Sequence, residues 1–264
     1  MNTPTISLPM LRFFRRIVSG YFRRHFHAVR ISGASRFTHD GKPLIVYANH
    51  TSWWDPMVSI LLAEELMAER KHYAPMDAEA LERYPILKRL GLFPIEMKTA
   101  RGAVQFLRTG LAVLASGGVL WVTPQGRFSD PRERPLQFKP GLAALAVRTG
   151  SCNLLPLAIE YPFWDERLPE TLLHFGDAVS VVPGDSEAAI EERLITALEA
   201  AMRHLQALAI TRRATAFTTL ARGTAGTGGF YALWRRMRAG FQPQTYRPEH
   251  TVVQEGTRMR EGTK

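Results

Sequence analysis

The sequence predicts an α/β fold: a mixed sheet, parallel at its centre and flanked by helices, with an amphipathic helix in front of it. Two observations carry this. Short apolar runs of strand length alternate with longer stretches of helical periodicity between His27 and Ile210, and such alternation joins parallel strands through helical crossovers. The first 25 residues show a one-sided helical pattern instead.

In that leading segment Met10, Phe14, Ile17, Val18 and Tyr21 recur at helical spacing, while Arg12, Arg15, Arg16 and Arg23 fall mostly on the other side. A basic amphipathic helix of this kind can lie in a membrane interface; a terminal helix packed on the core with its arginines in water fits the same pattern. Strand-like runs follow at His27–Ser32, Leu44–Ala48, Lys71–Ala74, Leu92–Ile95, Val119–Val122, Leu154–Tyr161 and Thr171–Phe175. Between them, Asp55–Met67, Ala78–Leu90, Arg101–Ala115, Gly141–Thr149 and Ser186–Ile210 read as helices. From Arg212 the texture changes. A Gly/Thr stretch precedes Phe230, Tyr231, Leu233 and Trp234, which interleave with Arg235, Arg236 and Arg238. The expected organisation is therefore an interface helix over 1–25, one α/β domain over 26–211 and a basic, aromatic tail over 212–264.

Composition narrows the class of partner. Among 264 residues, 34 Lys+Arg against 24 Asp+Glu give a net charge of +10, so the expected partner is anionic: a lipid surface, a nucleic acid or a phosphorylated substrate. A single cysteine, Cys152, forbids an intrachain disulfide and a Cys-based zinc cluster and fits a cytosolic location. Arg12, Arg15 and Arg16 interrupt any secretory apolar core near the start. The most apolar window, Thr109–Val122, is too short to span a bilayer and is broken by Gly117 and Gly118.

The chemistry concentrates in Asn49-His50-Thr51-Ser52-Trp53-Trp54-Asp55-Pro56, which leaves a buried strand and enters a helix. Ligands of open α/β sheets bind at such strand ends. A carboxylate meeting the imidazole across this loop fixes its tautomer and supports its positive charge, freeing the ring to act as a base. The local alternative is that Asp55, followed by Pro56, only starts the helix.

These residues match the NHxxxxD motif of the lysophospholipid and glycerolipid acyltransferase family, and three further blocks follow in the family order. Thr123-Pro124-Gln125-Gly126-Arg127-Phe128-Ser129 resembles its FPEGTRS motif, Phe138-Lys139-Pro140-Gly141 its FKxG segment, and Leu155-Pro156-Leu157-Ala158-Ile159 its proline-containing strand. The resemblance implies a reaction: His50 deprotonates an acceptor hydroxyl as it attacks an acyl thioester, with Asp55 orienting His50. It also implies substrate contacts at Asn49, Gln125, Gly126 and Arg127, with backbone amides near Gly126 as candidates to face the oxyanion; Trp54 fits an acyl or acceptor surface or core packing, and Lys139 fits a contact to carrier phosphates or a solvated helix start. The donor would be acyl-CoA or acyl carrier protein as co-substrate, with no cofactor and no metal. The partners would be a lipid acceptor and an anionic membrane surface, at the cytoplasmic face and peripheral. His72, His174 and His204 read as ordinary structural histidines.

The departures matter too. Met97 and Met76 stand where the family usually has basic residues, Gln125 replaces a glutamate, and Arg127 sits one place early. A methionine cannot make a charge-assisted hydrogen bond, each worth about 1.5–3 kcal/mol. The expected acceptor is therefore a lipid alcohol without an adjacent phosphate, neutral or glycosylated. The alternative is a 1-acylglycerol-3-phosphate acyltransferase in which Arg127, Lys139, Lys71, Lys98 or Arg101 takes the vacated role. A non-catalytic membrane-binding relative is a third reading, although it gives His50 and Asp55 no task. A nucleic-acid-binding module would share the basic charge, but no helix-turn-helix, RNA-recognition or zinc-finger signature accompanies it.

Overall fold

A computed structural model describes residues 3–37 and 41–223. Its elements are, in order, α1 (Leu8–His25), β1 (Ala28–Ser32), β2 (Leu44–Ala48), α2 (Asp55–Met67), β3 (His72–Asp77), α3 (Ala78–Arg83), β4 (Leu92–Ile95), α4 (Ala100–Ala115), β5 (Val119–Val122), α5 (Gly141–Thr149), β6 (Cys152–Glu160), β7 (Glu170–Phe175), β8 (Val179–Val181), α6 (Glu187–Ile210) and β9 (Thr218–Arg222). The strands form one sheet in the order β4-β3-β5-β2-β6-β7-β1-β9, with β8 beside the start of β6. Pairing is parallel from β4 through β6 and again between β7 and β1, and antiparallel at β6–β7, β6–β8 and β1–β9. This is the mixed, centrally parallel sheet the alternation predicts.

Burial on both faces explains why β2, β5 and most of β6 are continuous apolar runs rather than alternating ones. One face packs under α4, α5 and α6 through Phe106, Leu114, Leu145, Leu194 and Leu198. The other packs under α1 and α2 through Val18, Phe22, Val58 and Leu62. Pro156 sits inside β6 without a ladder donor, at the point where the strand's antiparallel neighbour changes from β8, paired to Leu154, to β7, paired from Leu157.

Three differences from the sequence expectation have identifiable physical causes. The helix expected over Ala78–Leu90 stops at Arg83, because Pro85 cannot continue it, and a 3₁₀ turn spans Pro85–Arg89. The segment after Arg212, expected as tail, first adds edge strand β9, whose Thr218-Thr219-Leu220-Ala221-Arg222 has no apolar run to announce a strand. The short β8 likewise has a single buried residue, Val181. The aromatic and basic stretch around Phe230–Arg238 lies outside the described residues. Helix α1 is apolar on two sides: Val18 and Phe22 are buried in the core, while Phe13, Ile17 and Tyr21, four residues apart, remain exposed. Among the described residues no helix is long and apolar enough to cross a membrane.

Candidate active site

β2 lies at the centre of the sheet, and the loop leaving its C-terminal end carries His50. Asn49 fixes where that loop departs. Its side-chain amide donates to the Ile159 carbonyl at 3.0 Å and accepts from the Ile159 amide at 2.8 Å, extending the β2–β6 pairing beyond its last backbone rung. With 1% exposure, Asn49 has no atom left for a substrate. The expected substrate contact is thus corrected to an anchor, since a buried amide with both ends bonded is already satisfied.

His50 is held through its backbone by the loop after β5. Its amide donates to Gln125 Oε1 at 2.9 Å, and its carbonyl accepts from the Ser129 amide at 2.8 Å. Its Nδ1 lies 2.8 Å from Asp55 Oδ2. A carboxylate can only accept, so Nδ1 carries the proton and Nε2 presents a lone pair. The imidazole side chain is 17% exposed and the Asp55 side chain 2%.

Asp55 is the first residue of α2, yet its carboxylate does not cap that helix. Oδ2 also accepts from the amides of Thr51 and Ser52 at 2.8 and 3.0 Å, and Oδ1 accepts from Tyr161 Oη at 2.7 Å. Four donors therefore converge on one buried carboxylate, the environment that makes its burial in ionised form tolerable. The helix-start explanation for Asp55 fails on this geometry, because the acceptor turns back toward the loop.

The other expected contacts divide. Gln125, 7% exposed, reaches His50 rather than open solvent, so it holds the His50 backbone. The Gly126 amide donates to the Thr123 carbonyl at 3.0 Å, closing a turn around Pro124 and Gln125, so of the amides expected near the oxyanion this one is already engaged. Gly126 has φ +62°, and a Cβ there would meet Lys139 Cε at 2.7 Å, so both backbone and space call for glycine. Lys139 crosses it to place Nζ 3.2 Å from the Met97 carbonyl. Lys139, two residues before α5, thereby brings a cation to the corner at Met97. Arg127 is half exposed and paired with Glu133 of its own loop. Trp54 turns away from the base, with ring centroids 4.8 Å from Phe26 and 5.7 Å from Phe22, so its expected substrate contact becomes packing against α1.

Sequence reasoning missed Tyr161 and Ser129 as parts of the site. Phe128, 58% exposed, also escaped it; its ring lies 4.5 Å from that of His50 and gives the base an apolar wall. The available signal for Tyr161 was a tyrosine closing an apolar strand, since a buried hydroxyl needs a partner. Burial and the Asp55 charge raise its pKa well above the usual 10, which keeps it a donor. His72 is structural as expected: Trp121 Nε1 donates to its Nδ1 and its Nε2 contacts the Met67 carbonyl, both within 2.9 Å. Among the described residues no cluster of His, Cys, Asp and Glu could hold a metal ion.

Comparison with known proteins adds the lineage. The crystal structure of the 1-acyl-sn-glycerophosphate (LPA) acyltransferase PlsC from Thermotoga maritima is similar in fold, with a TM-score of 0.53 and 19% identity over 76% of this chain and 78% of that one. No curated protein matches the chain. A family model described as Acyltransferase matches residues 28–160, from β1 to the end of β6, which takes in His50, Asp55 and Gln125 and stops one residue short of Tyr161. With that match covering half its length, the chain belongs to the Acyltransferase family.

Proposed function

We propose that the protein moves a fatty acyl group from a thioester, acyl-CoA or acyl carrier protein, to a hydroxyl of a lipid, with His50 as general base and Asp55 as its orienting partner. The observation carrying this is the 2.8 Å contact of His50 Nδ1 with a buried, four-fold-satisfied Asp55, which aims a basic Nε2 outward. In the reaction Nε2 takes the acceptor proton as the C–O bond forms and the C–S bond breaks. The imidazolium then returns the proton to the departing thiolate. No acyl-enzyme and no cofactor is needed.

The acceptor we favour has no phosphate beside its hydroxyl, as in a neutral or glycosylated lipid, because Met76 and Met97 supply no charge. One observation favours a second reading, 1-acylglycerol-3-phosphate acylation: Lys139 brings a cation to the Met97 carbonyl. The site would be reached from a membrane surface. Phe13, Ile17 and Tyr21 are exposed on α1 and Trp53 on the loop beside Asp55, with Arg12, Arg16, Arg23 and Arg24 along the same helix. Apolar rings among cations suit a peripheral position on an anionic, cytoplasmic leaflet.

The test is mass spectrometry of lipids after incubating the purified protein, or its His50→Ala variant, with both thioester donors and a mixed lipid extract. A new acylated lipid absent with the variant supports the reading and names the acceptor. Turnover of lysophosphatidic acid well above neutral lysolipids would sink the phosphate-free acceptor and favour the second reading.

A further inference from the structure

The base-orienting carboxylate has two oxygens, and only one faces the base. Asp55 Oδ2 takes His50 Nδ1 and the amides of Thr51 and Ser52, whereas Oδ1 has a single donor, Tyr161 Oη at 2.7 Å. Asp55 is 2% exposed, so water does not substitute for that donor. Tyr161 is itself fixed. It is the first residue after β6, two positions beyond Ile159, whose backbone is clamped by the Asn49 amide, and residues two apart on a strand share a face. Its ring lies 5.6 Å from that of Phe26 in the segment after α1. The strand therefore delivers the phenol to a set place, and the phenol locks the rotation of the carboxylate.

We infer that Tyr161 is a positioning residue for acyl transfer, acting through Asp55 on His50. This rests on the dyad reading above. The titratable side chains bonded to Asp55 are His50 and Tyr161; His25 of α1 stands behind Trp54, its ring 5.5 Å from the indole, and Asp55 is the carboxylate facing the phenol. Removing the hydroxyl leaves Oδ1 buried without a donor. The carboxylate then either rotates, misaligning the imidazole, or takes up a proton more readily. Both lower turnover, and the second moves the acid limb of the activity profile to higher pH.

The experiment compares Tyr161→Phe, Asp55→Asn, the double variant and His50→Ala in the full chain, reading kcat, KM and the pH dependence of kcat, with melting curves as a folding control. Tyr161→Phe keeps the ring and its packing. We expect it to lower kcat by about 10- to 100-fold, the range of a hydrogen bond to a charged group. KM should be nearly unchanged and the acid limb raised. In the Asp55→Asn background the same change should lower kcat by a smaller factor than in the wild-type chain, because the charge it stabilised is gone and only the orientation of the amide is left to it. Wild-type kcat and an unmoved acid limb in Tyr161→Phe, with His50→Ala inactive, overturn the inference and spare the dyad. An active His50→Ala overturns both. A lowered melting temperature with kcat and pH profile intact assigns Tyr161 to folding alone and also overturns it.

Discussion

Asp55→Asn separates the geometry of the dyad from its charge. The amide oxygen can occupy the Oδ2 position and still accept from His50 Nδ1, Thr51 and Ser52 at 2.8–3.0 Å. The new NH₂ then faces Tyr161 Oη, which can rotate to accept. Shape is retained, and the negative charge is what disappears. On the proposed mechanism, His50 carries the acceptor's proton and a positive charge in the transition state. A carboxylate about 4 Å from that charge, at an effective dielectric of about 20, contributes about 4 kcal/mol. At about 1.4 kcal/mol per factor of ten, kcat should fall roughly a thousandfold, with KM little changed because the lost interaction forms only as the proton moves. Thiol release from an acyl thioester in the presence of the acylated lipid's precursor measures it. A fall of less than about tenfold, with His50→Ala inactive, would refute the argument, since the carboxylate charge would then contribute little.

Four further outcomes follow from the same contacts. Gln125→Ala leaves the His50 amide without its acceptor, so kcat should fall about tenfold and stability by about 1–3 kcal/mol, read by turnover and urea melts. Asn49→Ala strands both polar groups of Ile159 and should cost about 3 kcal/mol of stability without raising KM, contrary to a substrate-binding role. Burial holds His72 near pKa 4 against an ordinary 6.5, and His174 likewise. The unfolded chain thus binds more protons in that window, and stability present above about pH 6.5 is lost as pH falls toward 4. The His72 gap alone is worth about 3 kcal/mol at about 1.4 kcal/mol per unit, visible as a falling urea midpoint. Phe13→Asp with Ile17→Asp, on the exposed side of α1, should reduce co-sedimentation with anionic vesicles by about tenfold or more; unchanged sedimentation would reject α1 as the contacting face.

What could be read in advance depended on whether a residue's task is local. The strands of the central sheet were legible because Leu44–Ala48 and Val119–Val122 are buried on both faces and need unbroken apolar runs. His50 and Asp55 were legible because the four residues between them suffice to bring them together. β9 was not, since its polar threonines are recruited by an edge far away in sequence. The roles of Asn49 and Gln125 were hidden for the same reason: their partners, Ile159 and His50, lie 110 and 75 residues away. Tyr161, 106 residues from Asp55, carries no mark in its own neighbourhood beyond its type. Motif spacing identified which residues gather at the strand ends, and side-chain direction decided which of them are spent on internal hydrogen bonds.

Trp54 has a consequence for where the working unit begins. The family match starts at residue 28, after α1, yet the residue immediately before Asp55 is wedged against Phe22 and Phe26. A fragment cut to the matched region would leave that indole uncovered and the hinge of the dyad loop without its backing, so a catalytic fragment must include the helix from Leu8 onward. Conversely, any force or fusion that draws α1 from the body is transmitted one residue away from the carboxylate bonded to His50.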